Sequence, residues 1–219
     1  MRTLAPPSKA LAAELALVGL LIGYGPFSVV RLVLLLLLAS QSLWIRGLGW
    51  PTVGLRRPPR VSHTALQGVV GGLLILVVSR VVILPAAVWL TGTPIDLSAL
   101  GELEDTRGWL EVMLYAWTLA AVGEEMAFRG YLLRRLVDLT GTTRLAWGFA
   151  ILASGAAFGV AHSYQGPAGV LATAVVGVMM GLLYLYGGRN LWTVIIAHAT
   201  VDTVALSAIY LGHRSLVFP

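Results

Sequence analysis

Apolar runs long enough to cross about 30 Å of hydrocarbon recur along the chain, at roughly 10–24, 28–45, 65–90, 109–133, 145–163, 168–186 and 190–212. Each predicts a membrane-spanning helix, which gives about seven spans, with six to eight admissible. The first run is the weakest: it is short, Glu14 interrupts it, and Gly25-Pro26 leaves only a tight turn before the second. Polar connectors punctuate the rest. Arg46 to Arg60 is a Gly/Pro-rich basic loop with Trp44 and Trp50 at the expected headgroup level. Residues 91–108 carry Asp96, Glu102, Glu104 and Asp105 against Arg107 alone and lack periodicity, so they read as an exposed acidic connector. Gly187 to Asn190 is too short for anything but antiparallel neighbours, which makes the four spans over 109–212 one compact bundle. No repeat, low-complexity tract or linker divides the chain. The expected fold is an all-α, polytopic membrane helix bundle, with residues 1–219 forming a single integral membrane domain.

Composition agrees with the pattern. Hydrophobic residues make up 58% of the chain and charged ones 11%, with a mean hydropathy of +0.84, which soluble domains do not reach. The absence of cysteine excludes disulfides, thiolate metal sites and a cysteine nucleophile. The formal charge of +5 does not indicate nucleic acid, because the bases sit in short loops between apolar runs. There they report orientation. With the amino terminus inside, Arg2, Lys9, Arg46, Arg56, Arg57, Arg60, Arg134, Arg135, Arg144 and Arg189 fall on the cytoplasmic side, Arg31, Arg107 and Arg214 outside, and Arg80 and Arg129 within the membrane. No small-residue cleavage site stands out after Met1 to Lys9, so the amino terminus reads as retained.

Against that apolar background, a few polar side chains need a reason. Charges at bilayer depth cost a few kcal/mol each even on generous scales, so they face a protein interior or a wet cavity and mark function. Glu124, Glu125 and Arg129 lie inside the fourth span. On a helix Glu125 and Arg129 are four apart and can pair, while Glu124 is turned about 100° away and left available. His162 ends the fifth span after Ser154, Gly155, Ala156, Ala157 and Gly159, small residues that let a neighbouring helix come close. His198 and Asp202 are four apart in the seventh, so the acid can orient the ring. Arg80, Glu14 and His63 have no partner in the sequence and fit snorkelling or lumen-facing positions; His213 is a tail residue. Trp117, Trp147 and Trp192 fit interfacial belts or helix packing.

Glu124-Glu125-Met-Ala-Phe-Arg129, Phe158-x-x-x-His162 and His198-x-x-x-Asp202, on successive helices, resemble the three motifs of the CAAX protease and bacteriocin-processing (CPBP, Abi) family of intramembrane proteases. The resemblance spans about residues 109–207, and Leu48-Gly-Trp-Pro-Thr-Val-Gly-Leu-Arg56 is loosely similar to the family's amino-terminal region. It implies hydrolysis of a peptide bond within the membrane, on a membrane-associated or lipidated (CAAX-type) peptide, with Glu124 matching the family's glutamate. The family's third motif ends in Asn or Asp; Asp202 as an anion would be a poor oxyanion donor.

The residues support that chemistry on their own terms. A desolvated Glu124 suits a general base, His162 can hold the same water, and His198 oriented by Asp202 can donate to a developing oxyanion. Glu125 with Arg129, and Phe158, are supporting. A second route makes Glu124, His162 and His198 ligands of a divalent metal such as zinc; the spacing does not decide between the two, though the missing His-Glu-x-x-His pattern favours the metal-free one. Two other classes share these features: a non-enzymatic membrane scaffold of the same fold, and a small transporter with Glu124 as proton carrier. The partners expected are membrane lipid and a peptide or lipidated protein. One geometric demand follows. His162 lies about 25 Å along its span and His198 about 12–15 Å along its own, so a shared site requires a raised or tilted fifth span, or an inverted topology.

Overall fold

In the computed structural model, residues 9–23, 28–98 and 105–218 are described, and among them there is no strand. The turn at Gly25-Pro26, the residues before Lys9 and the acidic pair Glu102 and Glu104 lie outside the described residues. Seven helical rods follow in order: α1 (Lys9–Gly23), α2 (Val29–Ile45), α3 (Val61–Thr91), α4 (106–140), α5 (Arg144–Ala161), α6 (Gly166–Tyr186) and α7 (Leu191–Tyr210). Two rods depart from α geometry inside. Ser79–Ile83 of α3 is a π turn, and α4 is π-helical over Ala116–Glu124 and Met126–Leu132.

Local chemistry sets the boundaries. Asp105 caps α4 by accepting from the Gly108 amide at 2.6 Å, Thr143 caps α5 at Ala146, and Asn190 caps α7 at Trp192. Gly92, at φ 66°, ends α3 in the left-handed conformation that glycine adopts without a Cβ clash. Among the described residues α3, α5, α6 and α7 are long and apolar enough to cross a membrane, α6 when counted from Ser163. Rod α2 is apolar but, at 17 residues, one residue shorter than α5, α1 spans only about 22 Å at 15 residues, and α4 carries the intramembrane charges. Large apolar side chains on the outer faces, such as Leu37, Leu74, Leu114 and Leu152, are exposed, as expected of a surface solvated by lipid. The architecture is a polytopic helical bundle.

Two close helix pairs hold it together. Rods α5 and α6 run antiparallel, and a Cβ on Gly159 would sit 2.4 Å from the Val170 carbonyl oxygen. Rods α3 and α7 meet at Gly72, where a Cβ would lie 2.5 Å from the Ala197 oxygen. In lipid such backbone contact is the principal source of helix association. Gly159→Ala should therefore lower stability by about 1–3 kcal/mol, the usual overpacking cost, read as a lower melting temperature in detergent.

The basic connectors gather at one end of the bundle. Arg56 donates to the Gly188 carbonyl at 3.1 Å, Asn190 donates to the Arg56 carbonyl at 3.1 Å, and the Leu191 amide reaches the Gly54 oxygen at 2.9 Å. Glu14 corrects the sequence reading, which gave it no partner: its carboxylate accepts from Ser42 and from Arg46, each at 2.5 Å, and from the Tyr131 hydroxyl. It clasps α1 to α2 and α4, and only the fold could bring those three rods together. Arg134 and Arg135, read from the sequence as loop charges, are buried on the last turns of α4 and both pair with Asp138. Arg80 also has a partner, the Ser215 carbonyl, reached by two nitrogens at 3.2 and 3.0 Å. His63 is exposed.

Candidate active site

The irregular stretch of α4 supplies the acidic half of the site. π geometry is uncommon and concentrates at functional positions, because it re-aims side chains that an α-helix would space evenly. Glu125 is fully buried and Arg129 is 1% exposed. Arg129 Nη1 donates to Glu125 Oε1 at 2.8 Å, the pairing that the four-residue spacing predicts. Its Nη2 donates to the Gly177 carbonyl of α6 at 3.1 Å, and its guanidinium carbon stands 4.4 Å from the centre of the Phe158 ring. The arginine thereby joins α4, α5 and α6 by charge, hydrogen bond and cation–π contact.

Glu125 has a second role that spacing did not reveal. The same Oε1 lies 2.8 Å from His198 Nδ1. The sequence pointed to Asp202 as the orienting acid, and Asp202 Oδ2 is indeed near, but at 3.5 Å from Nε2. His198 is held between two carboxylates, the tighter one on another helix. With Nδ1–H directed to Glu125, Nε2 is the nitrogen left for Asp202 and for anything that enters between them.

His162 caps the end of α5, with Nδ1 2.8 Å from the Phe158 carbonyl oxygen. Since a carbonyl only accepts, Nδ1 carries the proton, and Nε2 of the neutral ring is a lone-pair acceptor. Phe158, one turn earlier, stands between the imidazoles: its ring centre is 4.5 Å from that of His162 and 6.2 Å from that of His198. The depth offset is resolved here. Phe158 is the fifteenth residue of α5 and His198 the eighth of α7. These parallel rods are thus offset or mutually tilted by about 10 Å, at 1.5 Å per residue.

Glu124, His162, His198 and Asp202 all line one cavity of about 200 Å³. Glu124 Oε2 is buried and has no hydrogen-bond partner among the described residues. The structure adds Tyr115, Tyr164 and Gln165 to the walls. Of these only Tyr164 and Gln165 had a signal in the sequence, their place two and three residues after His162. A second chamber of about 200 Å³ shares His162, His198 and Asp202 and is otherwise mostly apolar, with Leu76, Leu84, Ala172, Val176 and Met180. The arrangement sets an unpaired carboxylate and two imidazoles beside a greasy compartment.

The donor set weighed for a divalent metal, Glu124, His162 and His198, lines one cavity but is not drawn together into a chelate. Among the described residues no three His, Asp or Glu side chains are grouped so as to hold an ion. Both rings are fixed through Nδ1, to Phe158 and to Glu125, as Nε2-ligating imidazoles also are, and His198 Nε2 faces Asp202.

Residues 106–204 match the model of a protein family described as type II CAAX prenyl endopeptidase Rce1-like. The matched segment contains every residue named above as a candidate for chemistry and nearly coincides with the span over which the motifs resemble the CAAX protease family. It supports an intramembrane protease in the broad sense. No curated protein and no solved structure matches the chain.

Proposed function

We propose that the chain is an intramembrane endopeptidase that hydrolyses a peptide bond of a membrane-associated or lipidated peptide, with Glu124 as the base. The observation that carries this reading is the convergence of Glu124, His162, His198 and Asp202, from three rods, on one cavity in which Glu124 Oε2 has no partner. Glu124 takes a proton from a water that His162 Nε2 holds by accepting its second hydrogen bond. The water oxygen adds to the carbonyl carbon. The oxyanion that forms is met by Nε2–H of the His198 imidazolium, whose two ring protons face the carboxylates of Glu125 and Asp202. Collapse breaks the C–N bond as Glu124 returns its proton to the leaving amine. The apolar chamber beside Asp202 suits an aliphatic side chain or lipid tail. The amino terminus lies on the cytoplasmic side, by the excess of Arg and Lys in the connectors at that end.

Purified protein should cleave a quenched fluorescent peptide carrying a palmitoyl or prenyl chain. His198→Ala should slow that cleavage by about 10²–10³-fold, the usual loss of one oxyanion donor. Failure of the parent protein to turn over any lipidated or unlipidated reporter would remove the reading in favour of a scaffold.

A further inference from the structure

The ends of the bundle differ in charge, and among the described residues the cavity reaches only one of them. Lys9, Arg46, Arg56, Arg57, Arg60, Arg134, Arg135, Arg144 and Arg189 are carried by the start of α1, the α2–α3 connector, the last turns of α4, the start of α5 and the α6–α7 turn. Contacts of Arg56 with Gly188, Asn190 with Arg56 and Glu14 with Arg46 tie these segments into one face. The described part of the opposite face comprises residues 92–98, the α5–α6 turn and the segment after α7. Its pieces are joined by the Asp96 amide on the Gln165 carbonyl at 3.0 Å and by Thr106 with Tyr210 at 3.0 Å. The cavity that holds Glu124 runs out past Tyr164 to Asp96, Leu97, Gln165 and Phe218, all on this second face. No residue of the basic face lines either chamber.

We infer that the cavity is entered from the non-cytoplasmic side of the membrane, so that its substrate is a membrane-anchored peptide displayed on the outer leaflet. Basic residues at the cytoplasmic ends of spans and in short connectors stay in the cytoplasm, and here nine of the fifteen Lys and Arg are described at the end away from the mouth. The lining refines the class. Asp96, Glu124 and Asp202 are on the walls, with no Lys or Arg among the described lining residues. A peptide neutral or basic around the cleaved bond is accommodated, whereas a free carboxylate there would meet like charge in a poorly hydrated space. The substrate class rests on the protease reading; the side of entry does not.

The chain has no cysteine, so single thiols can be introduced without background. Ser98, at the mouth, and Thr142, in the α4–α5 turn, are both exposed, and neither lines the cavity. In intact cells a membrane-impermeant maleimide should label Ser98→Cys, and should reach Thr142→Cys only after permeabilisation. Labelling in the reverse order overturns the inference and leaves the protease reading untouched. The second arm uses a palmitoylated quenched peptide too polar to cross the bilayer. It should be cleaved when added to sealed right-side-out vesicles, with at least tenfold less cleavage by sealed inside-out ones. Equal or greater cleavage by inside-out vesicles overturns the inference. Labelling as expected, with no cleavage of the peptide in detergent, instead upholds the side of entry and removes the protease.

Discussion

Glu124→Gln leaves a folded protein that no longer cleaves its reporter. The expected fall in kcat is about 10²–10⁴-fold, the range that a positioned general base contributes. The variant tests chemistry in isolation because Gln keeps the size and polarity of the side chain, and because Glu124 Oε2 makes no hydrogen bond whose loss could loosen the bundle. Its melting curve in detergent should overlay that of the parent, and KM should change far less than kcat. Cleavage at the parent rate would take Glu124 out of the reaction.

The second large effect falls on stability. Arg129→Met removes the cation from a pair whose members are 1% and 0% exposed and leaves the Glu125 carboxylate in an apolar surround with His198 as its one remaining partner. Breaking a buried pair from one side costs about 3–5 kcal/mol, because the surviving charge is stranded. The loss is larger than for an ordinary core substitution, since Arg129 also bonds the Gly177 carbonyl and covers the Phe158 ring. Thermal unfolding in detergent should shift down by on the order of 10 °C for a chain of this size. Adding Glu125→Gln to Arg129→Met should cost less than the sum of the two single changes, because the second change neutralises the charge that the first one orphans. Strict additivity would mean that the two do not act as a pair.

These expectations rest unequally on what the sequence made legible. Seven apolar runs correspond to seven rods, because burial in lipid demands a continuous apolar stretch and leaves little ambiguity. Glu125 and Arg129 were legible as a pair because both lie on one helix, where spacing is geometry. Contacts between helices were not. The bond from His198 to Glu125 spans 73 residues, and the local candidate, Asp202, stood in for it. Glu14 looked stranded because Ser42, Arg46 and Tyr131 approach it only once α1, α2 and α4 are packed. Arg135 looked like a loop cation because α4 continues as a helix past the apolar run, carrying it and Asp138 into the interior. The π-helical stretches of α4 have no periodic signature at all, yet they carry Glu124 to the cavity wall.

The glycine contacts bear on how a cavity this narrow admits a polypeptide. Gly159 against Val170 and Gly72 against Ala197 pack α5 with α6, and α3 with α7, backbone to backbone, as two jaws that meet where Gly71 faces Leu183. The two imidazoles ride on different jaws. Parting the jaws to admit a polypeptide therefore pulls His162 away from His198, and only their return around the guest restores the pair. Lateral pressure from surrounding lipid acts directly on that parting, so turnover should respond to acyl-chain packing of the host bilayer even where no lipid touches a reacting atom.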